Sequence, residues 1–147
     1  MSRCLLMPIL GTLAVSTWVG CSSRPEYPSP VYDACFTVDN CVETASLCEE
    51  LSVDFGGFTY SNAICTLTCE TEGPVSPDCP RAYVGLFGSC YPSSVAGGIH
   101  DAAICFEPCY VDLDCQLGFR CLGAEGLCGA DPSCPVDEND AICVPGP

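Results

Sequence analysis

The sequence predicts a small disulfide-rich fold: tandem modules of short β-hairpins and loops, with little regular secondary structure. Three observations carry that expectation. Sixteen of the 147 residues are cysteine, about 11%, a density typical of disulfide scaffolds. Fourteen Gly and 13 Pro interrupt any long helix or strand. The hydrophobic share of 48% includes those cysteines and an apolar leader, so the rest is too small for a large core. Charge narrows the partners. Nineteen Asp and Glu face four Arg and no Lys, a formal balance of −15, which argues against nucleic acid or acidic lipid held by general electrostatics.

The first element is an export signal over 1–20. One Arg precedes Leu5 to Val19, a run without charge that fits the apolar region of a signal peptide and is too short to span a bilayer. Gly20-Cys21-Ser22-Ser23 follows, and it resembles the lipobox of bacterial lipoproteins, in which the cysteine is diacylated and becomes the mature N-terminus. The resemblance implies a membrane partner, held through a lipid on Cys21. Several acyl chains together hold a protein durably. Ser22, where Asp would signal inner-membrane retention, implies the outer membrane or cell surface. Cleavage after Ser22 or Ser23, giving a secreted protein, is the alternative. Residues 21–34 read as a tether, because Pro25, Pro28 and Pro30 favour extended polyproline geometry. At ~3.1 Å per residue it spans up to roughly 40 Å.

From Cys35 onward there are fourteen cysteines, an even number in an exported chain, so seven bridges are expected. Ala-Ile-Cys recurs at Cys65, Cys105 and Cys143, and each recurrence reads as the end of a unit. Unit one (35–65) holds Cys35, Cys41, Cys48 and Cys65. Unit two (69–105) holds Cys69, Cys79, Cys90 and Cys105. Unit three (109–143) holds Cys109, Cys115, Cys121, Cys128, Cys134 and Cys143, and a tail over 144–147 closes the chain. Asn40, Asp78 and Asp114 precede the second cysteine of each unit. They are turn residues, whose side chains accept a hydrogen bond from a backbone N–H two positions on.

The run Cys109-Tyr-Val-Asp112-Leu-Asp114-Cys115-Gln-Leu-Gly118-Phe-Arg-Cys121 resembles the opening of the dickkopf N-terminal cysteine-rich domain and of similar repeats in bacterial cysteine-rich lipoproteins. The six cysteines of unit three also resemble an epidermal-growth-factor-like module. That resemblance implies Cys109–Cys121, Cys115–Cys128 and Cys134–Cys143, with first-to-third and second-to-fourth pairing in the other units. Counting alone leaves on the order of 10^5 connectivities open.

Regular elements are few. Tyr83 to Phe87 and Val111 to Leu117 have the length of single hairpin strands, and Val42, Ala45, Cys48 and Leu51 fall at near-helical spacing, which predicts a short helix over 42–51. Stability is expected to be mainly covalent. A bridge closing about 15 residues contributes roughly 3 kcal/mol, as much as burying one Leu or Phe, and such short units have few of those to bury.

The residue chemistry disfavours catalysis. His100 is the sole histidine, an exposed loop residue followed by Asp101, and a triad with Ser93 or Ser94 lacks any G-x-S-x-G context. No C-x2-C pair occurs, which disfavours zinc and thiol exchange, and no cofactor is implied. Asp112 and Asp114, or Asp137-Glu138-Asn139-Asp140, offer oxygen ligands for calcium, but neither run is an EF-hand loop, and solvated acidic loops are the simpler reading. Arg81, between Cys79 and Cys90, lies where disulfide-rich protease inhibitors present a reactive residue. Phe55, Phe58 and Tyr60 in FGGFTY are either a contact surface or packing against the bridges. The expected function is a non-enzymatic, lipid-anchored surface module that binds a protein or envelope partner. A structural envelope lipoprotein and an inhibitor acting through Arg81 are the alternatives.

Overall fold

The computed structural model describes residues 30–147; the export signal, Cys21 and the start of the tether lie outside the described residues. Three antiparallel hairpins follow one another: β1 (Leu47–Phe55) with β2 (Phe58–Thr66), β3 (Ser89–Pro92) with β4 (Ala103–Phe106), and β5 (Phe119–Gly123) with β6 (Ala141–Pro145). The only α-helix among the described residues is α1 (Ala124–Cys128). None there is long and apolar enough to cross a membrane.

The Ala-Ile-Cys repeat is the middle strand of each unit. On one side it pairs with the hairpin partner, placing Cys48 opposite Cys65, Cys90 opposite Cys105 and Cys121 opposite Cys143. On the other side its Ile bridges the residue just before the first cysteine: Ala34 with Ile64, Thr68 with Ile104, Pro108 with Ile142. The hydrogen bonds repeat as well. Cys35, Cys69 and Cys109 donate to the carbonyls of Ala63, Ala103 and Ala141 at 3.0, 3.1 and 3.0 Å. Cys65, Cys105 and Cys143 donate to Asp33, Leu67 and Glu107 at 2.8, 3.0 and 2.9 Å. A β-branched residue flanked by strands on both sides is buried, and these three Ile side chains are. The stretch between two units is thus the edge strand of the next one. The tail is likewise structural: Pro145 belongs to β6, and Gly146 N–H donates to the Gly118 carbonyl at 3.1 Å.

All fourteen cysteines are bridged. Units one and two pair first to third and second to fourth: Cys35–Cys48, Cys41–Cys65, Cys69–Cys90 and Cys79–Cys105. Unit three keeps Cys109–Cys121 but corrects the other two expected pairs, because Cys115 joins Cys143 and Cys128 joins Cys134. The second cysteine is bonded to the one on the middle strand in every unit, with Cα atoms 5.5 Å apart each time. The growth-factor order fails in unit three because Cys128, the last residue of α1, and Cys134 clip the loop that follows the helix locally.

Three elements differ from expectation. Residues 42–51 are not a helix: a turn at Val42 to Ala45 leads into β1, where Glu49, Leu51 and Val53 point inward at alternate positions. Period two prevails because the nine-residue ladder to β2 satisfies the backbone, closed by Gly56-Gly57 with both φ positive, at 60° and 84°. Val111 to Leu117 contains a 3-10 turn, Asp112–Asp114, rather than a strand. Tyr83 to Phe87 is a turn, with Ala82 and Leu86 joined by a hydrogen bond of 2.8 Å, and the strand begins at Ser89.

The units also share an apolar core. Leu51 and Val53 from unit one, Tyr91 and Ile104 from unit two with the adjoining Phe106, and Phe119 and Ile142 from unit three with Val144 of the tail form one buried cluster. Thr66 Oγ1 donates to the Cys105 carbonyl at 2.7 Å, and Tyr32 Oη to the Pro80 carbonyl at 2.9 Å. The Tyr91 hydroxyl donates to Asp140 Oδ2 at 2.9 Å. Gly97, with φ of 66°, lies so close to the Ser52 carbonyl that a Cβ would collide with it. Small units thus stabilise one another, which the composition of each alone does not reveal.

Candidate interaction surface and its surroundings

The β1–β2 hairpin carries its core-facing side beyond the body of the protein. In an antiparallel pair, directly opposed residues share a face, and alternate positions return to it. Leu51 and Val53 on that face are buried, whereas Phe55 and its partner Phe58 at the tip are exposed, Phe58 at 70%. Tyr60, opposite Val53, is half-buried. The Arg120 guanidinium of β5 stacks 4.4 Å from the Phe55 ring centre and lies 3.4 Å from Asp112 Oδ2. One aromatic is therefore braced and the other presented, on a turn whose two glycines add no side chain.

Arg81 does not extend from its loop. Its backbone bridges Phe87, its Nη1 donates to the Gly85 carbonyl at 2.6 Å, and its guanidinium lies 4.2 Å from the Phe87 ring centre.

His100 is half-exposed and meets a carboxylate, but the partner is Glu49 of β1 rather than Asp101. Glu49 is fully buried, and its Oε1 also accepts from the Ile99 and His100 amides at 2.9 and 3.2 Å. Ser93, also buried, donates Oγ to the His100 backbone carbonyl at 2.5 Å, so it holds the loop and does not face the imidazole. The cluster joins unit one to unit two. Glu49 escaped the sequence reading because it is inward only in a strand; its signal was the alternation with Leu51 and Val53.

Asp114 is engaged within its own loop and Asp112 with the neighbouring strand β5. Asp114 Oδ2 accepts from the Tyr110 and Val111 amides at 2.8 and 3.1 Å, and Asp112 Oδ1 from the Cys121 amide at 3.0 Å. Asn40 does the same to Phe36 and Thr37, and Asp78 to Glu70 and Thr71. The residue before the second cysteine thus caps amides upstream of it, not two positions on. Thr71 and Glu70 hold the Asp78 carboxyl below the usual carboxylate range. In the other acidic run, Asp140 accepts from Tyr91, and Asp137 Oδ1 accepts from the Asn139 amide at 2.9 Å. Among the described residues, groups of three ligand-type atoms within 4.8 Å occur only where two bridges stack: Cys35, Cys41 and Cys65, and their equivalents in the other units. Those sulfurs are already bonded to one another, which withholds the thiolate a metal needs.

Glu107 lies between units two and three. Burial raises its pKa to about 7; the Tyr83 amide opposes that rise, and the negative charges of Asp33 and Asp114 add to it. Burial also raises the Tyr32 phenol and the Asp33 carboxyl.

Compared with known proteins, the chain matches no family model, no curated protein and no solved structure.

Proposed function

We propose that this protein is an exported, lipid-anchored interaction module: a stapled body attached to a membrane through Cys21, binding a protein or envelope component without catalysing a reaction. The disulfide-rich fold is compatible with that role, and the observation that carries it is the tip of the β1–β2 hairpin. A rigid frame holding Phe58 in solvent, with Phe55 fixed beneath Arg120, offers aromatic contact area whose ordering cost is met on folding rather than on binding. The export signal, the lipobox resemblance and the bridges belong to one extracytoplasmic setting. The binding reading is favoured over the inhibitor reading because Arg81 folds back onto the Gly85 carbonyl and the Phe87 ring.

The test is capture from cell-envelope extracts with the mature protein and with the Phe55→Ser/Phe58→Ser variant. One saturable partner, weakened at least tenfold by the variant, is expected. Capture that is unsaturable, or the same for both proteins, overturns the binding role of the tip and favours a purely structural envelope protein.

A further inference from the structure

The loop from Cys109 to Gly118 in unit three points its apolar side chains outward while its polar side chains bond to neighbouring backbone and Arg120. Tyr110, Leu113 and Leu117 are 74, 95 and 100% exposed, and Val111 is exposed beside them. The carboxylates of the loop are engaged instead: Asp114 on two amides, and Asp112 on the Cys121 amide and Arg120. The loop is held by two bridges, Cys109–Cys121 and Cys115–Cys143. Free-standing hydrophobic side chains on a stapled loop are costly to leave in water and inexpensive to dock, because little entropy remains to be lost.

The position of the loop says what it meets. Gln116 clamps the chain where it enters the fold: its Nε2 donates to the Tyr32 carbonyl at 2.5 Å, and its Oε1 accepts from the Ala34 amide at 2.9 Å. Phe36, two residues further on, is 91% exposed. The described chain therefore begins beside this loop, and nine residue steps lead from Cys21, the lipid site, to Pro30. At ~3.1 Å per extended residue that is roughly 28 Å at most, so an anchored protein keeps the loop at the bilayer at high effective concentration.

We propose that Phe36, Tyr110, Val111, Leu113 and Leu117 form a membrane-docking face that rests in the interfacial region of the bilayer carrying the lipid anchor. This inference builds on the lipid-anchor reading and adds an orientation to it. The neighbouring Asp33 and Asp39 are exposed acids, so the lipid it suits is zwitterionic rather than anionic.

The test uses the full mature chain with its native N-terminus on phosphatidylcholine vesicles containing a headgroup-proximal spin-labelled lipid, read by residue-resolved NMR broadening. Signals from Phe36, Tyr110, Leu113 and Leu117 are expected to broaden several-fold more than that of Ile99, which is exposed on unit two. In Leu113→Asp/Leu117→Asp, changed only at solvent-facing positions, the excess disappears while the protein still floats with the vesicles. Equal broadening at all sites, or an excess that survives the double substitution, overturns the docking face. So does a loop that stays unbroadened on vesicles and shifts on addition of envelope protein, which assigns it to a protein partner. Mass spectrometry of the N-terminus scores the anchor separately. If Cys21 carries no lipid, the anchor reading falls, and the same broadening pattern on excess vesicles still decides for or against the loop.

Discussion

Units one and two are built from four cysteines each and unit three from six, yet all three share one frame. A middle strand carries Ala-Ile-Cys, an edge strand precedes the first cysteine, and two bridges cross beneath them. What differs is the material between the third cysteine and the last. In unit one it is a long hairpin that satisfies its own backbone; in unit three it is α1 and an irregular loop, with an additional bridge between Cys128 and Cys134. Pairing therefore follows position on the ladder rather than order along the chain. The extra pair compensates for a loop without a hydrogen-bonded ladder.

The sharpest way to break this comparison is to remove one bridge of each kind from unit three. Cys115–Cys143 spans a separation of 28 residues and Cys128–Cys134 one of 6. Loop-closure entropy assigns about 3.6 kcal/mol to the first and about 2.4 kcal/mol to the second. Cys143 is also buried on the middle strand, so its loss disturbs packing as well. Chemical denaturation of Cys115→Ser/Cys143→Ser is expected to show lost cooperativity across the whole protein, since the core is shared. Cys128→Ser/Cys134→Ser should keep one cooperative transition at a lower midpoint. If the second variant unfolds as completely as the first, the frame-and-clip distinction is wrong.

A smaller effect separates units two and three at the residue whose carbonyl receives the last cysteine. Unit two has Leu67 there and unit three has Glu107, largely buried and with its pKa raised to about 7. Between the ordinary glutamate value of 4.5 and about 7, the unfolded chain has released this proton while the folded chain retains it. Folding is then favoured at the acid end, and stability falls as pH rises through that window. Since the group is only partly shielded from solvent, the loss is about 1–2 kcal/mol. Glu107→Gln is expected to flatten this limb in urea titrations at pH 4.5 to 7.5. An unchanged slope would place the proton elsewhere.

Much of this was legible in the sequence, and the parts that were not have physical reasons. All seven bridges close within the runs that even cysteine counts and the spacing of Ala-Ile-Cys mark off, because a covalent frame has to recur at fixed positions. The bridges of units one and two agree with the pairing implied by resemblance. Unit three does not, because two cysteines that clip a loop look the same in sequence as two that cross a sheet. Val42, Ala45, Cys48 and Leu51 fit a helix as well as the inward set Glu49, Leu51 and Val53 fits a strand. Periodicity alone does not arbitrate so short a run; pairing with the next strand, β2, did. The Glu49–His100 cluster and the common core depend on contacts between units, which local spacing does not encode. The aromatics of FGGFTY were legible as a pair of options, and the hairpin geometry divides them, bracing Phe55 and exposing Phe58.

The finest test concerns the caps, because there the three units hold the two amides after the first cysteine with different side chains. Asn40, Asp78 and Asp114 each hold two upstream amides. Asn40 does so with a neutral oxygen, so the frame does not require a charge there. Asn40→Ala leaves both amides without that acceptor and is expected to cost about 1 kcal/mol, the usual value of a lost cap. Asp78→Asn retains an acceptor but removes a carboxyl that the Thr71 and Glu70 bonds hold below its ordinary pKa. That shift stabilises the fold above the unfolded carboxylate range and fades as pH falls through the depressed folded value. Wild-type protein should be the more stable of the two at pH 7 and lose that advantage on acidification, where the two converge. If Asp78→Asn behaves like an alanine replacement at pH 7, the charge itself matters in unit two, and the equivalence of the three caps is only geometric.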